Sequence, residues 1–257
     1  MKAVRALRTI YSASVFILLF MIFLGPLLVP ILFPSQFRLV GIINRWWAKL
    51  FFRLSFIPFR VEVRGKLNSK RQYVFCPNHF SYLDIPTMGL TPHNTIFVGK
   101  NDMERVPVFG YMYRKLHITV DRSRLKSKFT TLLRSLEALD AGKSLVIYPE
   151  GGIITTQPPQ MVRFKDGAFR AAIEKQIPIV PVTIPNNWII LPDEPQLLLH
   201  RGVVKVIFHE PIETKGLHLQ HLDELKQRVH HIIQDELNRH HEHRQGNAAQ
   251  DRSSLTA

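Results

Sequence analysis

The chain opens on a hydrophobic block and then changes to alternation. Between Arg8 and Arg38 there is no charged residue, and residues 10–33 are almost all Ile, Leu, Phe, Val and Met, broken by Gly25, Pro26 and Pro30. From Phe59 onward, short β-branched or aromatic runs take turns with helical spacings. Phe59, Val61 and Val63 alternate with charged residues, the period of a half-buried strand. Further strands are predicted over 72–76, 95–98, 117–120, 143–148, 177–184 and 203–208. Helices are predicted over 123–141 and 166–176: in the first, Phe129, Leu132, Leu133, Leu136 and Leu139 fall three and four apart. Gly142 then stands where a glycine ends a helix. A last amphipathic helix runs from 217 to about 240. The pattern predicts an α/β domain at 59–240, a mixed sheet flanked by helices, behind an N-terminal helical segment at 1–58 and ahead of a polar, disordered tail at 241–257.

The hydrophobic block is long enough to meet a bilayer but is interrupted. A span needs about 20 apolar residues, and the uninterrupted helical part ending at Gly25 reaches only about 24 Å at 1.5 Å per residue. Lys2, Arg5 and Arg8 imitate the basic start of a signal peptide, but the run is long and aromatic and lacks a small-residue cleavage site. Downstream, Arg38, Arg45, Lys49 and Arg53 fall on one stripe of a helix, with Trp46, Trp47, Leu50, Phe51, Phe52 and Leu54 between them. A basic stripe among Trp and Phe is the composition of an interfacial helix on anionic lipid. Positive charge flanks the apolar run on both sides, so both flanks are expected on the cytoplasmic face, with the run dipping in as a hairpin that turns near 25–30.

Composition sharpens this picture. Lys and Arg number 34 against 20 Asp and Glu, a formal charge of +14. Such an excess attracts polyanions. Nine of these cations and a single acid, Glu62, lie between 38 and 71, next to the apolar block, and no helix-turn-helix, zinc-finger or base-stacking signature occurs, so the charge points to an anionic membrane surface and not to nucleic acid. The hydrophobic share of 46% and charged share of 21% exclude a disordered or collagen-like chain, and one cysteine excludes a disulfide framework. Seven of the 12 histidines lie from His218 onward without a repeated ligand spacing, which reads as a solvated helix face and not a metal tract.

Three stretches carry candidate chemistry. After the strand at 72–76, Asn78 and His79 sit at a strand end with Asp84 five residues later. On a regular helix such a pair lies about 140° apart, so the two meet only if His79 occupies the turn before a helix that carries Asp84. A carboxylate on one imidazole nitrogen fixes the tautomer and raises the basicity of the other; a structural histidine fits the same residues. Cys76, in an apolar strand, and Ser81, without a nucleophile elbow, read as structural. The second stretch, Asp121-Arg122-Ser123-Arg124, puts arginine at a strand-to-helix junction, where it can fork onto phosphate oxygens or simply start a solvated helix. The third, Pro149-Glu150-Gly151-Gly152 after a buried strand, allows backbone N–H groups to approach an anion, as would an ordinary turn.

In order and spacing these stretches resemble the glycerolipid acyltransferase family typified by 1-acyl-glycerol-3-phosphate acyltransferases. The family's Asn-His-x4-Asp is matched by Asn78, His79 and Asp84, its strand followed by Asp-Arg by Val120-Asp121-Arg122, and its Val-Pro-Val strand by Val180-Pro181-Val182. Its aromatic-Pro-Glu-Gly-Thr-Arg is matched by Tyr148, Pro149, Glu150 and Gly151, after which Gly152 and Ile153 replace Thr and Arg. Lys100 and Phe164-Lys165-x-Gly167 also look like family positions, and the resemblance runs over about residues 40 to 215.

The resemblance implies an acyltransferase of phospholipid biosynthesis in which His79, oriented by Asp84 and supported by Asn78, deprotonates the free sn-2 hydroxyl of 1-acyl-glycerol-3-phosphate. That oxygen attacks an acyl carrier protein or coenzyme A thioester without an acyl-enzyme, a metal or another cofactor. Arg122, Lys100, Glu150, Gly151 and Lys165 would bind the phosphate, and Arg163, Lys165 or Lys100 would replace the missing arginine. The expected place of work is the cytoplasmic face of a membrane, the inner membrane if bacterial. Three other readings stay open: an acceptor such as a lyso-ornithine lipid or glycerol 3-phosphate, a thioesterase, and a non-catalytic module on anionic membranes.

Overall fold

The structure is a computed structural model that describes the backbone of residues 2–100, 108–120 and 125–254, and the side chains of 2–99, 108–120 and 129–245. The apolar block forms one helix, α1 (Lys2–Leu32), and the basic aromatic stretch forms α2 (Arg38–Leu54). They make an antiparallel hairpin in which Tyr11 Oη donates to the carbonyl of Leu54 at 3.0 Å. The turn lies at 33–37, through a short 3-10 segment (Pro34–Gln36), and not at 25–30 as predicted. Pro26 and Pro30 stay inside α1. Being four residues apart, they put their missing N–H groups on the same side, so the hydrogen-bond ladder is interrupted along one line and does not break the helix.

Among the described residues seven strands form one sheet: β1 (Phe59–Val63), β2 (Val74–Pro77), β3 (Thr95–Lys100), β4 (Ile118–Val120), β5 (Ser144–Ile147), β6 (Ile179–Thr183) and β7 (Val204–Phe208). Their order is β1-β7-β6-β2-β5-β3-β4, and every neighbouring pair is parallel except β6 with β7. The helices that connect or cover the strands are α3 (Asp84–Met88), α4 (Phe109–Leu116), α5 (Leu125–Asp140), α6 (Gly167–Lys175), α7 (Asn187–Ile190) and α8 (Leu222–Ser254). The mixed sheet with flanking helices is the predicted fold class. Gly142 ends α5 as expected, at φ +79°, with the N–H of Lys143 reaching back to the carbonyl of Ala138 and that of Gly142 to Leu139.

β2 lies at the centre, Val74 paired with Leu145 of β5 and Ile179 of β6. Its alternating side chains face two cores. Val74 and Cys76 pack with Phe169 and Ile173 of α6 and Val229 and Ile233 of α8, while Tyr73 and Phe75 pack with Met88, Val180 and Phe208. A third cluster joins Val15 and Leu19 of α1 and Ala48, Phe51 and Phe52 of α2 to Leu83, Leu90 and Ile190 of the domain.

Two parts of the reading at 1–58 and 241–257 change. Arg45, read as a lipid-facing member of the basic stripe, turns inward, and its Nε donates to the carbonyl of Thr91 at 2.9 Å. Burial lowers its pKa from the ordinary arginine value. The last helix does not stop near 240 but continues to Ser254. Residues 241–245 are ordinary helix formers, and the backbone carries on through them without a Pro to end it.

Candidate active site

The parallel strands β2, β5 and β6 lie side by side, and the loops leaving their C-terminal ends lie where open α/β sheets bind ligands. Leaving β2, the chain passes Asn78 and His79, turns, and enters α3 at Asp84. Asn78 is fully buried and fastens this loop to the end of β6. Its Nδ2 donates to the carbonyl of Ile184 at 3.1 Å, and its Oδ1 accepts the N–H of Ile184 at 2.7 Å.

His79 and Asp84 meet in the way their spacing requires, the histidine in the turn and the acid at the first helical position. Nδ1 of His79 lies 3.0 Å from Oδ2 of Asp84. The same oxygen accepts the N–H groups of Phe80 at 2.8 Å and Ser81 at 2.9 Å, while Oδ1 accepts Nδ2 of Asn187 at 2.9 Å. Every contact therefore orients the carboxylate, which is fully buried. With Nδ1 on Asp84, Nε2 is the ring nitrogen not bound to the carboxylate. Sequence reasoning missed Asn187, which also donates to Oγ1 of Thr87 at 2.8 Å. Its signal was present, an Asn-Asn pair just past the Val-Pro-Val strand, but only the sheet order brings that strand beside β2.

Tyr148, the residue after β5, stacks on the imidazole of His79 with ring centroids 4.0 Å apart and planes 24° from parallel. Glu150 is placed differently from the expectation that it binds substrate. It is fully buried, with Oε1 accepting the N–H of His79 at 2.7 Å and Oε2 that of Val162 at 3.3 Å. Its carboxyl ties two loops together. Burial pushes its pKa up to about 8, against the lowering effect of the two N–H donors.

Gly151 follows at φ +85°, and a Cβ there would lie 2.2 Å from Nζ of Lys165. The positive φ demands glycine, whereas the lysine tip is the end of a flexible side chain that can move aside. Lys165 is held by its own N–H on the carbonyl of Pro149 at 2.8 Å, so its cation covers the turn where the resemblance has Thr and Arg. Arg163 instead lines an open cavity of about 520 Å³ with Asp223, Lys226, His230 and His231 of α8. Arg122 lies outside the described residues, as does the side chain of Lys100, whose backbone ends β3. Ser81 is structural, its Oγ donating to the carbonyl of Leu191 at 2.7 Å. Cys76 is wholly buried and its thiol pKa is pushed up by that burial. Among the described residues no group of three or more His, Cys, Asp and Glu is placed to hold a metal ion.

A buried carboxylate steering an imidazole at the end of a central parallel strand, beside a glycine turn covered by a lysine, is the arrangement of an oriented acid–base histidine. Residues 60–185 match the family model described as Acyltransferase. Among individual proteins, the chain is similar to the chloroplastic 1-acyl-sn-glycerol-3-phosphate acyltransferase BAT2 of Brassica napus, 31% identical over 64% of this chain and 49% of that one. The 1-acyl-sn-glycerol-3-phosphate acyltransferase of Saccharomyces cerevisiae is 32% identical over 69% of this chain and 59% of its own length. The chain thus spans about half of these relatives. A lyso-ornithine lipid O-acyltransferase of Pseudomonas aeruginosa is 28% identical over 68% of this chain and 71% of that one. In fold the chain resembles the crystal structure of the 1-acyl-sn-glycerophosphate (LPA) acyltransferase PlsC from Thermotoga maritima, with a TM-score of 0.72 at 21% identity over 91% of this chain and 97% of that one.

Proposed function

We propose that this chain is a membrane-surface O-acyltransferase that moves a fatty acyl group from an acyl thioester to the free sn-2 hydroxyl of 1-acyl-glycerol-3-phosphate, giving phosphatidic acid. The observation that carries this reading is the His79–Asp84 pair at 3.0 Å. Nε2 of His79 takes the hydroxyl proton as the oxygen attacks the thioester carbonyl. The tetrahedral intermediate collapses, the C–S bond breaks, and the leaving thiolate recovers the proton from the imidazolium. Acyl carrier protein or coenzyme A carries the donor acyl chain, and the reaction uses no further cofactor. Lys165 over Gly151, with Arg122 and Lys100, holds the acceptor phosphate. The site works at the cytoplasmic face of the membrane, where both lipid substrates partition.

One observation favours a second acceptor. Gly152 and Ile153 stand where the resembled motif has Thr and Arg, and a relative named for lyso-ornithine lipid acylation matches over a comparable share of this chain. Labelled acyl donor offered with lysophosphatidic acid, lyso-ornithine lipid or glycerol 3-phosphate, with products read by mass, separates these acceptors. General-base assistance is worth about 10² to 10⁴ in rate, so His79→Ala should lose at least about 10² of transfer while keeping its melting temperature and vesicle binding. Equal release of free fatty acid with and without acceptor, or full transfer by His79→Ala, would overturn the proposal.

A further inference from the structure

His79 is held at its edge by Asp84 and on its face by an aromatic ring. The Tyr148 ring lies 4.0 Å from the imidazole and nearly parallel to it, which is closer than most aromatic pairs approach. The hydroxyl of Tyr148 is buried and has no hydrogen-bond partner among the described residues. The sequence therefore uses the flat face of this residue, not its polar tip. Several ionisable groups surround the pair. Asp84 bonds Nδ1 of His79, and Glu150, from the loop after β5, accepts its main-chain N–H. Tyr113 of α4 interacts with Tyr148, and Lys165 lies over Gly151 three residues further on. Burial, then Asp84 and Tyr113, hold the phenol pKa well above its ordinary value, so the ring meets the histidine as a neutral π-face.

A π-face discriminates between the two protonation states of its neighbour. A cation within about 6 Å of a Tyr ring centroid is attracted by the ring quadrupole, most strongly where water is excluded. Neutral imidazole gains little from the same contact. In the proposed reaction His79 becomes charged as it takes the acceptor's proton, so the ring contributes as the imidazolium forms. We propose that Tyr148 is a positioning residue that acts through His79, its ring fixing the plane of the imidazole and favouring the imidazolium form during acyl transfer. This rests on the general-base reading of His79.

The test is the pH dependence of kcat/KM for transfer in the full chain, comparing wild type with Tyr148→Phe, Tyr148→Leu and Tyr148→Met. Phe keeps the ring and removes only an unpartnered hydroxyl, so its rate should stay within about twofold and its acid limb should not move. Leu and Met remove the ring. Their rates should fall about threefold to thirtyfold, with the acid limb displaced to lower pH because the imidazolium has lost support. Phenylalanines bearing one to five ring fluorines at position 148 keep the shape while draining the ring face, and they serve where Leu and Met fold poorly. The acid limb should descend stepwise with fluorine number. An acid limb unmoved along the fluorinated series, or a Tyr148→Phe loss as large as that of Tyr148→Leu, would overturn the role of the ring. An acid limb that survives in His79→Ala would overturn the general-base reading itself, and this proposal with it.

Discussion

Among individual residues, Glu150 carries the most consequential difference between expectation and geometry. Glycines on its C-terminal side suggested an anion-binding turn with an acceptor attached. The fold instead draws its carboxyl inward, onto the N–H groups of His79 and Val162. That placement has a thermodynamic consequence. An unfolded glutamate titrates at 4.5, whereas in the fold burial pushes Glu150 up to about 8. Below pH 4.5 both states hold the proton. Between pH 4.5 and 8 the unfolded chain releases it while the folded chain retains it, so stability falls as pH rises through that window. Glu150→Gln removes this titration. Urea midpoints measured in detergent should therefore diverge from pH 4.5 to pH 8, wild type losing ground to the variant; a constant difference across the window would refute the assignment.

Elements are joined here by the absence of side chains as much as by their presence. α2 packs against the segment that follows α3. Gly41 donates its N–H to Oδ1 of Asn94 at 2.7 Å, and a Cβ on Gly41 would lie 2.6 Å from the Cα of Asn94. Gly89, just past α3, would meet the Cβ of Ala48 at 2.9 Å. Gly25, in α1, has nothing within 4 Å. Two alanine substitutions separate these roles. Gly41→Ala drives a methyl into backbone and should cost about 1–3 kcal/mol. Gly25→Ala meets nothing beyond its chain neighbours, so helix propensity set against a Cβ before Pro26 should leave stability within about 1 kcal/mol of wild type. Thermal melting in detergent reads both, and equal shifts would show that α2 does not seat the segment through Gly41.

The whole molecule has an apolar flank along α1. α1, with 31 residues, is about 46 Å long at 1.5 Å per residue and is the one described helix long and apolar enough to cross a bilayer. Its packing argues for another use. Thr9 accepts the N–H of Leu199 at 2.8 Å, Phe20 meets Phe109, and Leu27 shares a cluster with Met112 and Leu116, so the domain occupies one flank of the helix from end to end. Val15 and Leu19 face that domain, while Leu7, Ile10, Ile17, Leu18, Met21 and Ile22 are exposed on the other side, with Trp46 of α2 nearby in the hairpin. A helix apolar on its outer side and covered by a soluble domain on its inner side fits the interface plane. Each of Leu18→Glu and Met21→Glu should weaken binding to anionic vesicles about tenfold, by the apolar area it withdraws. Unchanged co-sedimentation of the double variant would rule out this face.

Much of this protein was legible along the chain because its signals are local. Strand alternation, the α5 spacing and the Gly142 stop depend on neighbours a few residues apart, and so does the Asn78–His79–Asp84 spacing, whose turn and helix lie within one loop. The hairpin turn at 33–37 was hidden because two prolines look like a break until the helix around them is seen packed against α2. The partners of the site were hidden for a different reason. Asn187 reaches Asp84, Glu150 reaches His79 and Tyr148 covers the imidazole across 103, 71 and 69 positions of chain. Those meetings exist because β2 lies between β5 and β6, and sheet order is set by how buried faces pack, not by any pattern within a single strand. By itself the sequence determined which groups could do chemistry; the tertiary structure decided which of them meet and which are spent holding the loops.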